Sequence, residues 1–160
     1  MFIRLTILFV SITGWGFAQS KKEVKKYDIV AVTETITEVV DGKEITRNDS
    51  YKKFDKDGNV LEEVNYDKTG KLKERIVRIF DRFDNKTQEI TFDAANRQAK
   101  RETFKYNELG EKTEEVEYND KNGLVTRSVF VTDRRGLKTE KKVYDSKGKL
   151  VQTKKYRYDD

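Results

Sequence analysis

The 160-residue chain has no cysteine, no proline and no histidine, and only one methionine and one tryptophan. Without cysteine there are no disulfides, no thiolate metal sites and no lipid-modified N-terminal cysteine. Histidine and cysteine are missing as catalysts, and no serine sits in a nucleophile-elbow context. Catalysis is therefore left to carboxylates, as in glycosidases. With 29 acidic residues some pair always stands at a suitable separation, so such a pair carries no information. No cofactor and no metal are expected. The lack of proline suits a chain that uses every backbone N–H in a ladder. Beyond residue 18 there is no long apolar run, and no apolar spacing of 3 and 4 persists, so no helix is expected there.

What is present is a register. Asp or Asn stands at Asp41, Asp55, Asp67, Asp81, Asp93, Asn107, Asn119, Asp133, Asp145 and Asp159, at intervals alternating 14 and 12. In eight of the ten cases the preceding residue is aromatic, from Phe54 and Tyr66 to Tyr144 and Tyr158. Three residues after the eight anchors from Asp55 to Asp145 come Gly58, Gly70, Asp84, Asn96, Gly110, Asn122, Gly136 and Gly148. Gly, Asn and Asp are the residues that tolerate φ > 0, so each marks a type I turn closed by a left-handed residue. Asp41-Gly42 is a tighter hairpin signal after an alternating strand over residues 29–40.

The pattern predicts an all-β antiparallel meander of about ten strands, built from hairpin repeats of about 26 residues. It forms either an open, twisted sheet or a partly closed barrel. Four turn residues per anchor leave strands of about 8 or 10 residues. Both lengths are even, so the aromatic anchors are expected to share one apolar face while the opposite face is wet. Two strands depart from this expectation, placing Val77 and Ile79, and Val125, Val129 and Val131, on the supposedly wet side. No strand face presents the continuous apolar band that a membrane barrel requires.

Residues 1–18 read as a cleaved secretory signal: Arg4, an apolar stretch from Leu5 to Ile12, and small residues before a cut at Gln19. Removal leaves 142 residues with a net charge of +4, since Arg4 takes one from the +5 of the whole chain. Residues 19–27 read as a mobile basic lead-in and residues 28–160 as a single repeat domain. Export without disulfides points to a bacterium, with a periplasmic, surface or secreted location.

The half-repeats Phe54-Asp-Lys-Asp-Gly, Tyr66-Asp-Lys-Thr-Gly-Lys-Leu and Tyr144-Asp-Ser-Lys-Gly-Lys-Leu resemble YD repeats of the RHS type, whose core is Tyr-Asp-x-x-Gly followed by an apolar residue. The resemblance covers residues 41–160. It implies extracytoplasmic β-hairpin repeats and carbohydrate or surface binding. The chain departs from RHS proteins in having no room for a cargo domain and no autocleavage segment, and MORN-like repeats of bacterial antitoxins converge on a similar motif.

Charge is uneven. Residues 134–157 hold ten basic residues against Glu140 and Asp145, whereas residues 108–120 hold six acidic residues and one lysine. A basic patch attracts polyanions by counterion release. Lys141, Lys142, Lys154, Lys155 and Arg157 are the candidate anion-binding residues, with Tyr156 and Tyr158 as candidate aromatic contacts. The competing reading is that lysine on a terminal strand blunts edge-to-edge aggregation. The Asp55-Lys-Asp57-Gly-Asn59 segment resembles the start of a calcium loop but lacks its later ligands, so it reads as a turn. The expected function is an exported, non-enzymatic module for binding or adhesion at the envelope, with an anionic glycan or a protein partner rather than nucleic acid. A carboxylate-based glycan-processing enzyme and a periplasmic inhibitor are the alternatives.

Overall fold

The structure, a computed structural model, describes residues 20–159; the signal sequence expected over residues 1–18 lies outside them. A short helix, α1 (Lys21–Lys26), precedes ten strands: β1 (Ala31–Val40), β2 (Lys43–Phe54), β3 (Val60–Tyr66), β4 (Leu72–Phe80), β5 (Lys86–Phe92), β6 (Gln98–Tyr106), β7 (Lys112–Tyr118), β8 (Leu124–Thr132), β9 (Lys138–Asp145) and β10 (Leu150–Lys155). They form one antiparallel sheet in chain order, an open meander with β1 and β10 as its edges. The barrel alternative falls away, because β1 and β10 pair only with β2 and β9.

The turns follow the register. All eight predicted left-handed positions have positive φ, including the non-glycine residues Asp84, Asn96 and Asn122. At each, the anchor side chain accepts the backbone N–H groups two and four residues on: Asp133 Oδ1 accepts from Arg135 and Leu137, both at 2.9 Å, and Asn119 Oδ1 from Lys121 and Gly123 at 3.0 and 2.8 Å. The anchor N–H then donates to the carbonyl four residues on, as Asp133 does to Leu137 at 2.9 Å. The loop thus takes five residues, and β3 to β8 alternate between 7 and 9 residues instead of 8 and 10.

The expectation of one apolar and one wet face is overturned by bulges. In each hairpin from β2–β3 to β9–β10 the register slips beside the turn, leaving Leu61, Lys73, Thr87, Ala99, Thr113, Val125, Thr139 or Val151 unpaired. One extra residue sends every later side chain to the other face. The anchors therefore alternate: Phe80 and Tyr106 share a face with Ile76, Phe104 and Phe130, whereas Phe92, Tyr118 and Tyr144 share the other with Val64, Ile90 and Val116. Val77 and Val129 now fall among the apolar residues of that second face, opposite Ile90 and Glu114. We call the two sides the Phe104 face and the Val116 face. Each mixes apolar residues with charged ones. Among the described residues the buried apolar side chains are only Val24, Phe54, Phe104, Val116 and Phe130.

A helix does follow residue 18, within the basic lead-in, and it packs on the turns of the sheet. Ser20 and Glu23 form a reciprocal capping box at the start of α1. Val24, 1% exposed, is the most deeply buried side chain described. Lys21 Nζ donates to Asn59 Oδ1 at 2.8 Å and to Asp84 Oδ2 at 3.1 Å, which ties α1 to two turns one repeat apart. The chain then joins the sheet, the Phe54 N–H donating to the Val30 carbonyl at 2.9 Å.

Candidate anion-binding surface

The bulges divide four of the five candidate cations between the two faces. Lys141 and Lys154 are direct partners across β9 and β10 on the Phe104 face. Lys142, opposite Thr153, and Lys155, opposite Glu140, lie on the Val116 face. Lys142 is already committed, its Nζ 3.3 Å from Glu140. Arg157 stands beyond β10, 3.9 Å from Asp159, both side chains almost fully exposed. The aromatic candidates lie at the same corner. The Tyr156 N–H extends the ladder to the Thr139 carbonyl at 3.0 Å, and Lys154 Nζ lies 5.3 Å from its ring. The Tyr158 ring is 46% exposed, while its hydroxyl donates to the Lys138 carbonyl at 2.9 Å.

Sequence reasoning missed the row to which this corner belongs. Lys86, Lys112 and Lys138 open β5, β7 and β9 at 26-residue intervals, each just before a bulged threonine. Their ammonium groups reach over the Phe104 face. Phe104 lies between Lys86 and Lys112, at 4.6 and 5.1 Å from its ring centre, and Phe130 between Lys112 and Lys138, at 5.1 and 5.0 Å. Lys141 is a third cation over Phe130, at 5.3 Å. Contacts of this kind contribute roughly 0.5 to 2 kcal/mol each, and the aliphatic stems cover the rings from water.

In the first two rows the cation has a carboxylate three residues along the strand. Lys86 pairs with Glu89 at 2.9 Å, and Lys112 pairs with Glu115. Burial alone would raise the Glu89 carboxyl, but hydrogen bonds from Lys86 and Arg78 outweigh it and hold it below the usual carboxylate range. Glu115 behaves alike: burial opposes ionisation, and the Lys112 hydrogen bond, with charge support from Lys112, Lys141 and Lys86, overcomes it. The third row breaks the rule. The place of Glu63, Glu89 and Glu115 is taken by Lys141. Among the described residues Lys138, Lys141 and Lys154 form no ion pair. Laying the 26-residue units over one another reveals this reversal, provided that the face of each column is known.

The calcium-like segment is used locally. Asp55 Oδ1 accepts from Asp57 and Asn59 N–H, both at 2.9 Å, and Asp55 Oδ2 from Asn59 Nδ2 at 2.9 Å. Among the described residues no cluster of three His, Cys, Asp or Glu side chains is placed to hold a metal ion.

No protein-family model and no curated protein matches the chain in sequence. Solved structures similar to parts of it include the following three. A mutant of TarM from S. aureus, in complex with Fondaparinux, α-GlcNAc-glycerol and UDP, is 16% identical with a TM-score of 0.33, over 81% of this chain and 22% of TarM. The chain thus spans about a fifth of that protein. A protein of unknown function from Bacteroides fragilis is 15% identical with a TM-score of 0.43, over 79% of this chain and 91% of that one. A porin-like protein from Bacteroides uniformis is 10% identical with a TM-score of 0.32, over 76% and 74%.

Proposed function

We propose that the chain is an exported, non-enzymatic β-repeat module that binds anionic glycan at the bacterial envelope or surface. The observation that supports this reading is the uncompensated positive charge of the last repeat. Residues 107–132 carry six acidic and three basic side chains, residues 133–158 three acidic and ten basic, and the turns and ladder continue unchanged across the boundary. The fold therefore does not demand the reversal. Edge protection accounts for Lys154 and Lys155 on β10. It does not account for Lys138 and Lys141, because β9 is paired on both sides.

The test is retention of the mature chain on heparin beads and on a neutral glycan matrix. Retention on heparin alone, with elution as salt rises, is expected, because exposed charges are screened over about 8 to 10 Å near physiological ionic strength. No retention at low salt overturns the reading. Export is checked separately by the mass of the protein made from the full gene: a mature N-terminus at Gln19 is expected, and an intact chain kept in the cytoplasm contradicts it.

A further inference from the structure

We infer that the acidic group of the ligand is held by Lys138, Lys141 and Lys154 on the Phe104 face, an assignment that rests on the anion-binding reading above. Three observations converge on that corner. First, Lys138 keeps the place and the ring contact of Lys86 and Lys112 but has no carboxylate beside it, because the residue three positions on is Lys141 and not a glutamate. Second, Lys141 and Lys154 are direct cross-strand partners on one face. Like charges directly opposite destabilise a sheet, and among the described residues neither lysine forms an ion pair; the carboxylate whose charge reaches Lys141, Glu115, lies two strands away and is paired with Lys112. Third, Lys138 and Lys141 lie over the Phe130 ring and Lys154 over that of Tyr156, at 5.0 to 5.3 Å, so the ammonium groups are held in place before the ligand arrives.

The geometry also limits the ligand. Neighbouring strands stand about 4.8 Å apart, so one carboxylate or sulfate can bridge Lys141 and Lys154. The three cations are lysines, point charges without the fork of arginine, which suits acid groups spaced along a polymer. Phe130 is buried, so it supports the lysines and offers no face to a sugar; the half-buried Tyr156 ring lies beside Lys154. The structure therefore assigns a carboxylated or sulfated glycan, recognised by charge across β9 and β10.

Two triple variants of equal charge change decide the matter: Lys138→Gln/Lys141→Gln/Lys154→Gln on the Phe104 face, and Lys142→Gln/Lys155→Gln/Arg157→Gln elsewhere in the same repeat. Binding to heparin and to polygalacturonate is measured by calorimetry, with circular dichroism melts as the folding control. The first variant should lose about tenfold or more in affinity, since it removes every charge-assisted contact of the site, and the second about threefold or less. Loss on heparin alone identifies sulfate as the group held, and loss on both identifies a general acid site. Equal losses in the two variants, or the greater loss in the second, overturn the site while leaving the binding reading standing. A wild-type chain that binds neither polymer fails that reading itself. A single change sharpens the distinction: Lys141→Glu would restore the carboxylate that Glu89 and Glu115 supply, so the melting temperature should rise while binding falls. A fall in both overturns the claim that Lys141 is held against the interests of stability.

Discussion

Eight of the tight turns rest on two residues each, one whose side chain gathers two backbone N–H groups and one whose φ is positive. At the second position the repeat tolerates Asp84, Asn96 and Asn122, with φ of 65°, 56° and 59°. Gly148, with φ of 78° and no atom within 4 Å of an added Cβ, should therefore accept asparagine with little change in melting temperature. Gly110→Val should lose roughly 1 to 3 kcal/mol, as a β-branched residue forced into a strained backbone region does. Its Cβ would meet only Asn85 Oδ1, at 3.8 Å, so the loss there comes from the backbone. Gly58 is a different case. An added Cβ would lie 2.8 Å from the Lys21 carbonyl and 2.9 Å from its Cγ, so Gly58→Ala must also move α1. Gly58→Ala should melt well below Gly148→Ala, and equal melting temperatures would mean that the seat of α1 on this turn contributes nothing.

At the scale of elements, α1 is six residues long, too short to be stable alone, and is held by its cap and by one buried valine. Val24→Ala should destabilise by about 1.5 kcal/mol, at roughly 0.8 kcal/mol per buried methylene, and Ser20→Ala by about 0.5 to 2 kcal/mol through loss of the cap. Amide exchange of Val24 to Tyr27 should quicken in both variants before the strands respond; unchanged exchange would mean that the helix docks by other means. Ser20 followed three residues on by Glu23 is a capping-box pattern that sequence reasoning missed, because a window with a single apolar residue gives no helical period. Strand number and turn positions were legible because every turn demands particular chemistry at two places. Face assignment was not, because a bulge is set by backbone pairing and demands no residue type. Leu61, Lys73, Ala99, Val125 and Val151 share no signature. Only Thr87, Thr113 and Thr139 hint at it, each donating its hydroxyl to the carbonyl across the strand at 3.3 Å. The basic surplus of the candidate site was legible for the same reason as the turns, being local. Its division between faces, and the membership of Lys138, depend on the bulges and could not be read.

At the scale of the molecule, the sheet is a row in which each strand contacts only its neighbours in sequence, so cohesion accumulates locally. Few side chains are fully buried, and much of what links the strands is ionic. On the Phe104 face a chain of charges crosses four strands: Lys52 to Glu63 at 3.9 Å, Glu63 to Arg78 at 3.0 Å, Arg78 to Glu89 at 2.8 Å and Glu89 to Lys86 at 2.9 Å. On the Val116 face Glu114 joins Lys105 and Arg127 across three strands. Isolated surface pairs contribute little, and networks such as these contribute more. The Glu114 carboxyl is held below the usual range first by the Lys105 hydrogen bond and then, against some burial, by Arg127; Glu89 and Glu115 are also held low. A carboxylate whose pKa is lowered by folding adds stability that is fully present above its unfolded value and is lost as the pH falls through its folded one. The melting temperature should therefore be nearly level from about pH 6 to 8 and fall steeply as the pH drops below about 4.3, where glutamates of unfolded chains are half protonated. Glu114→Gln, which breaks one three-strand link, should lower the plateau and flatten the acid limb, because one of the linked carboxylates is then gone. A plateau that extends unchanged to about pH 2 would show that the backbone ladder and the thin apolar rows hold the sheet without the ionic links.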